Sequence, residues 1–167
     1  MSHVEHKKAA PTSVRCFVLT VSDTRTADSD TSGLAIRALL EEAGHQVTAA
    51  RIVPDELDQV TAAVEHGLAD ARVQVVITTG GTGITTRDGT FEAVDHLLEK
   101  RLSGFGELFR MLSFESIGSS AMLSRATAGI AMGTAVFLLP GSESAVRLAM
   151  TRLILPELGH IVQQIAP

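Results

Sequence analysis

The stretch Val73–Asp88, VQVVITTGGTGITTRD, sets the tightest limit on the fold. A β-branched run, Val75-Val76-Ile77, leads through Thr78-Thr79 into Gly80-Gly81-Thr82-Gly83. Three glycines in four positions fill a core poorly, but they suit a backbone that turns sharply and comes close to another group. In an open α/β sheet the carboxyl ends of the strands are where ligands bind. Consecutive N–H groups in such a turn form a concavity for anions, and a following helix adds partial positive charge. Hydroxyls of Thr78, Thr79, Thr82, Thr85 and Thr86 can supplement them, with Asp88 on the far side. The stretch reads as a phosphate cradle. It lacks the Gly-Lys-Ser/Thr ending of a Walker A loop and the spacing of a dinucleotide fingerprint. The alternative is a glycine turn that only passes a strand into a helix.

The rest of the chain alternates in the same way. Val14–Val21 is apolar on both faces, as in a buried parallel strand, and ends in Ser22-Asp23-Thr24-Arg25. Thr31 or Ser32 can cap a helix carrying Leu34, Ile36, Leu39 and Leu40, with Gly44 as its stop. His45–Val53 reads as a strand, and Asp55 opens a helix through about Asp70. Thr90 can cap a short helix over 91–99, and 104–123 is helical with a break near Gly118. Arg125–Ile130 and Thr134–Leu139 form a hairpin around Met132-Gly133. Ser142 is an N-cap candidate for a last helix, which Pro156 kinks or interrupts. This order implies an α/β fold with a mostly parallel sheet and helices on both faces.

At 167 residues the chain is long enough for one domain with a real core. We expect a floppy tail over 1–12 and a single domain over 13–167. A net charge of −5 and the absence of Trp and Tyr argue against a nucleic-acid partner. No apolar run reaches membrane-spanning length, so a membrane location is not expected. Cys16 is the only cysteine and sits in an apolar run, which suits a buried thiol and a cytoplasmic setting. His45, His66, His96 and His160 are too scattered in sequence to suggest a metal site and are expected on exposed helices or loops.

Ser22-Asp23, Asp55, the Gly80–Asp88 loop and Pro140-Gly141-Ser142 all follow strands and therefore share one sheet edge. Each has a structural alternative: Asp23 and Asp88 as turn residues, Asp55 and Ser142 as helix caps. Arg25, Arg87 and Arg125 could screen phosphate charge, although Arg87 could equally pair with Asp88. The apolar series Phe105, Leu108, Phe109, Met111, Leu112 and Phe114 exceeds one helical stripe, so part of it could face another subunit.

Taken in order, Thr20-Val21-Ser22-Asp23-Thr24-Arg25, Asp30-Thr31-Ser32-Gly33, Val53-Pro54-Asp55-Glu56, Thr78-Thr79-Gly80-Gly81-Thr82-Gly83 with Arg87-Asp88, Gly104-Phe105-Gly106-Glu107, Ser124-Arg125 and Pro140-Gly141-Ser142 resemble the MogA/MoaB family of molybdenum cofactor biosynthesis. The resemblance covers about residues 14–165. It implies a three-layer α/β/α molybdopterin-binding fold with a mostly parallel mixed sheet, in a homotrimer or a homohexamer of two trimers. It further implies transfer of AMP from ATP to molybdopterin with release of pyrophosphate and use of Mg²⁺. Asp55 and Asp88 match the family's two functional aspartates, as metal-holding and phosphate-orienting groups. The matching substrate- and nucleotide-binding positions are Ser22, Asp23, Thr79, Gly80, Gly81, Thr82, Gly83, Glu107, Ser124, Gly141 and Ser142. Other proteins of the same pathway are implied as partners.

Two positions depart from the MogA pattern, where Asn and Asn or Gln flank the Pro-Gly; here they are Leu138 and Ser142. Phe109-Arg110, Leu112-Ser113, Glu115, Ile117-Gly118 and Ser124-Arg125 lean toward the MoaB branch, some of whose members lack adenylylation activity. A catalytically silent molybdopterin carrier or pathway scaffold is therefore the alternative. A remoter one is another nucleotide or pterin-like ligand on the same fold, as in related domains of competence-damage proteins.

Overall fold

The five runs expected as strands, with one unexpected short charged strand, form a six-stranded sheet in the computed structural model, which describes residues 3–167. The strands are β1 (Arg15–Val21), β2 (Gln46–Val53), β3 (Val75–Thr79), β4 (Lys100–Arg101), β5 (Thr127–Ala131) and β6 (Thr134–Leu139), in the order β2-β1-β3-β6-β5-β4. β2, β1, β3 and β6 are parallel neighbours, and β5 and β4 continue the sheet antiparallel. The helices are α1 (His3–Lys8), α2 (Thr31–Glu42), α3 (Leu57–Ala69), α4 (Thr90–Asp95), α5 (Ser103–Ile117), α6 (Glu143–Ala149) and α7 (Leu155–Ile165).

Alternation along each strand sorts the core into two layers. Cys16, Val18, Ile77, Phe137 and Leu139 pack with residues of α2, α5, α6 and α7. Phe17, Leu19, Val76, Val136 and Leu138 pack with residues of α3 and α4 on the other face. Strands covered on both sides must be apolar at nearly every position, and every residue of β3 and β6 is buried. The three-layer α/β/α expectation holds. Burial pushes the Cys16 thiol up to about 12, as a structural rather than reactive cysteine requires.

Several local expectations change. Within the 1–12 segment, α1 lies against α7 through the Lys7–Glu157 ion pair. Residues 1–2 of that segment lie outside the described residues. Asp30, rather than Thr31 or Ser32, caps α2, because its Oδ1 accepts the Gly33 N–H at 2.9 Å while Oδ2 accepts the Thr20 hydroxyl at 2.5 Å. His45 is half-buried rather than exposed, and its Nδ1 accepts the Val14 N–H at 3.1 Å.

β5 starts two residues later than the hairpin pattern suggests, because the Arg125 N–H donates to the Thr82 carbonyl at 3.1 Å. Before Pro156 the last helix widens into a π turn over Met150–Ile154, in which the Leu155 N–H reaches back to Met150. That turn accommodates a residue that cannot donate and whose ring would crowd a regular helix.

Candidate functional site

The ends of β1, β2, β3 and β6 surround a cleft of about 690 Å³ lined by Ser22, Asp23, Asp55, Asp88, the 79–83 loop and 140–142. Ser124 and Arg87 complete its wall. A second hollow of about 660 Å³ adjoins it and shares Asp55, Arg87 and Asp88. Of the site residues expected from sequence, Glu107 alone stands apart, exposed on α5 outside both hollows.

The glycines are there for close approach. Gly80 and Gly81 have φ of +100° and +70°, which other residues rarely adopt. A Cβ on Gly80 would overlap the Val21 carbonyl, and one on Gly81 would overlap the Thr90 hydroxyl and sit 2.8 Å from Asp55 Oδ2. The cradle is nevertheless narrower than the glycine count suggests. Gly80 donates its N–H to the Leu139 carbonyl at 3.0 Å, and Gly83 donates its own to Asp88. Of the three expected glycine donors this leaves Gly81 for a ligand.

The hydroxyls divide in the same way. Thr79 donates to the Pro140 carbonyl at 2.8 Å, tying β3 to the β6 loop. Ser22 Oγ accepts the N–H groups of Thr24 and Arg25 at 3.2 and 3.1 Å. Ser142 is the N-cap of α6, accepting the Ala145 N–H at 3.3 Å, and it also lines the cleft. Buried polar groups normally find partners, yet Thr78 and Thr90 have buried hydroxyl oxygens with none. The Thr90 oxygen lies directly beside Gly81.

Asp55 does not cap α3; that helix begins at Leu57 after Glu56, which makes no side-chain cap bond. Its Oδ1 instead accepts the Gly89 N–H at 3.2 Å. Burial raises the Asp55 pKa above the usual carboxylate value, and the charges of Asp88 and Asp23 push the same way. The Gly89 N–H and the Arg87 charge offset part of that rise. Asp88 ends lower than usual. Burial pushes it up, but the hydroxyl and N–H of Thr85 and the Gly83 N–H outweigh that effect. Asp88 therefore closes a turn and lines the cleft at once, with Oδ2 at 2.6 Å from the Thr85 hydroxyl. Asp23 is held low by the Arg87 guanidinium and then by the Asp55 N–H. Two carboxylates with unequal affinity for protons thus face one polar cleft, which is a recurrent property of functional sites.

Arg87 pairs with Asp23 and Glu56 rather than with Asp88. Arg25 bonds to Ser32 at 2.8 Å and to the Gly141 carbonyl at 3.0 Å, which locks two loops of the cleft together. Among the described residues no three His, Cys, Asp or Glu side chains gather as a metal-binding group. Asp55 and Asp88 both line the cleft and could hold a Mg²⁺ ion, which is commonly bound by one or two carboxylates plus substrate phosphate oxygens. Burial raises Asp55 most, and the smaller push from the neighbouring carboxylates is one that a bound cation would offset.

Residues 17–160 match the family model described as "Probable molybdopterin binding domain". The molybdenum cofactor biosynthesis protein B of Halalkalibacterium halodurans is 53% identical over 166 residues, 99% of this chain and 98% of that protein. The chain belongs to the MogA/MoaB family. A crystal structure of a molybdenum cofactor biosynthesis protein B superposes with a TM-score of 0.90 at 55% identity, covering 93% of this chain and 98% of that one. The tungsten cofactor synthesizing protein MoaB of Pyrococcus furiosus gives 0.83 at 39% identity, with 93% and 98% covered. Of these, both relatives matched at more than half identity are B proteins, in agreement with the branch residues noted above. The chain is thus a molybdenum cofactor biosynthesis protein with a molybdopterin-binding domain, and among the described residues no helix is long and apolar enough to cross a membrane.

Proposed function

We propose that the protein transfers AMP from ATP to the terminal phosphate of molybdopterin, with Mg²⁺ held by Asp55 and Asp88. The observation that carries this reading is the pairing of those two carboxylates beside a glycine turn at the sheet edge. A phosphate oxygen of the pterin attacks the α-phosphorus of ATP; a new P–O bond forms as the bond to the β-phosphate breaks, and pyrophosphate leaves. Such a reaction needs no side-chain nucleophile and depends on positioning and charge neutralisation. Bound Mg²⁺ supplies neutralisation of phosphate charge. The chain's own groups do the rest: Gly81 donates to phosphate, Ser22, Ser124 and Ser142 line the substrate walls, and Arg25 and Arg87 balance negative charge. We further propose that the active form is a trimer or hexamer built on the exposed face of α5.

Purified protein given ATP, Mg²⁺ and fresh molybdopterin tests this. Pyrophosphate release that needs the pterin and collapses in Asp55→Asn and Asp88→Asn is the expected result. Pterin binding by folded protein without release would leave the catalytically silent carrier.

A further inference from the structure

One side chain outside the glycine loop bonds carbonyls at both of its ends. Arg125 Nε donates to the Gly83 carbonyl at 2.9 Å, and Nη2 donates to the Asp88 carbonyl at 3.3 Å. Its Nη1 and Nη2 also engage the Glu92 carboxylate, with Nη2 at 3.3 Å from Oε2. The cation lies 5.4 Å from the centre of the Phe91 ring, and the Arg125 N–H bonds the Thr82 carbonyl at 3.1 Å. Arg125 therefore touches both ends of the 83–88 turn and the first turn of α4 together.

We propose that Arg125 is a positioning residue that holds the 82–89 loop, and with it the Asp88 carboxylate, in its working place. The proposal rests on the reading of Asp88 as a site residue. A guanidinium can do this because its N–H groups form a rigid planar fork, whereas an ammonium is a point charge on a flexible stem. Two carbonyls and a carboxylate in three directions demand the fork. Glu92 neutralises the guanidinium, so the group that aims at the loop is not left as a free cation for substrate phosphate.

Two other roles would use the same residue differently. If Arg125 supplied only charge, Arg125→Lys would preserve its effect. If it gripped substrate phosphate directly, Glu92→Gln would release the guanidinium and improve substrate binding. A positioning role predicts that Lys fails and that Glu92→Gln loosens the loop.

Amide hydrogen exchange on the full chain, read peptide by peptide, separates these outcomes for Arg125→Lys, Arg125→Gln and Glu92→Gln. The N–H groups of Thr85 and Asp88, bonded within the turn to the Asp88 carboxylate and the Thr85 carbonyl, are the reporters. We expect exchange in 82–89 to speed up about tenfold or more in both Arg125 variants and by less in Glu92→Gln, with β1 and α7 peptides unchanged. With pyrophosphate release as readout, kcat should fall about tenfold or more in the Arg125 variants while KM stays within about threefold. Loop exchange at the native rate in Arg125→Lys would overturn the proposal, as would a lower KM with unchanged exchange in Glu92→Gln. A wild-type protein that releases no pyrophosphate would defeat the adenylylation reading, and the exchange measurement would still decide the role of Arg125.

Discussion

The Arg87 guanidinium donates to Asp23 through Nε at 3.1 Å and Nη2 at 2.9 Å, and Asp23 in turn accepts the Asp55 N–H at 3.0 Å. Residues at the ends of three different elements are thereby coupled, and the Arg87 charge helps to keep Asp55 ionised. These groups are exposed, so removing the pair should leave stability nearly unchanged. The effect on titration should be visible nonetheless. If activity needs ionised Asp55, Arg87→Gln should move the acid limb of the pyrophosphate-release profile to higher pH, whereas Arg87→Lys should largely hold it. The displacement should shrink at high salt, because the interaction is solvent-screened. An acid limb that stays put in Arg87→Gln would mean that Asp55 is not the titrating group.

Gly81→Ala should damage both fold and site. The backbone there has φ +70°, and the new methyl would overlap the Thr90 hydroxyl and crowd Asp55. A left-handed alanine combined with a local clash costs about 1–3 kcal/mol. Thermal melting should show that loss. The mutant protein that remains folded should release pyrophosphate at least about tenfold more slowly, because the alanine pushes on the Asp55 carboxylate. Activity at the wild-type level in folded Gly81→Ala would show that the close approach of Gly81 to Asp55 is dispensable.

Asp55→Asn should melt higher than the wild type at neutral pH while losing activity. The folded-state pKa of Asp55 is raised, first by burial. Such a group contributes its stability below the unfolded pKa and loses it as pH rises through the folded value. At pH 7 the wild type therefore carries an unfavourable, partly buried charge that Asn removes, and Asn can still accept the Gly89 N–H. The advantage should disappear as pH falls through the carboxylate range. Melting curves of the two proteins across that range check the sign, and a less stable Asp55→Asn at pH 7 would contradict it.

The parts of the fold that were legible in the sequence are those where burial acts on every residue of a segment. β1, β3 and β6 are covered on both faces, so their apolar runs are continuous and their ends are marked by polar or glycine clusters. The gathering of Asp23, Asp55 and Asp88 followed from placing those ends on one edge. What was not legible depends on which of several equivalent local groups wins a distant partner. Asp30, Thr31 and Ser32 can all cap a helix; the Thr20 hydroxyl selects Asp30, and Ser32 turns to Gly141 instead. The donors of Gly80 and Gly83 look available until Leu139 and Asp88 are placed beside them. Likewise Arg125 reads as a generic phosphate screen, because its bond to Gly83 spans 42 positions of chain. β4 has only two exposed charged residues and no periodic signal at all.

The outer face of α5 tests the proposed assembly. Its inner face buries Gly106, Phe109, Leu112 and Ser113 against the sheet. Leu108, Met111, Phe114 and Ile117 lie exposed on the outer side, with Phe114 at 62% exposure, and Met122 and Leu123 extend the patch. A surface helix of a monomer needs one apolar stripe, and this one carries apolar residues on two sides. Contiguous apolar surface of this kind marks an interaction site. The wild type should therefore sediment as a trimer or hexamer of the 17.6 kDa chain. Met111→Glu with Phe114→Glu should sediment as a monomer and keep its far-UV circular dichroism, since neither side chain belongs to the core. Because Leu123 and Ser124 join this segment to the cleft wall, the dissociated form should also lose pterin affinity. A wild type that sediments as a monomer at micromolar concentration would remove the assembly from the proposal and leave the exposed face of α5 for a different partner.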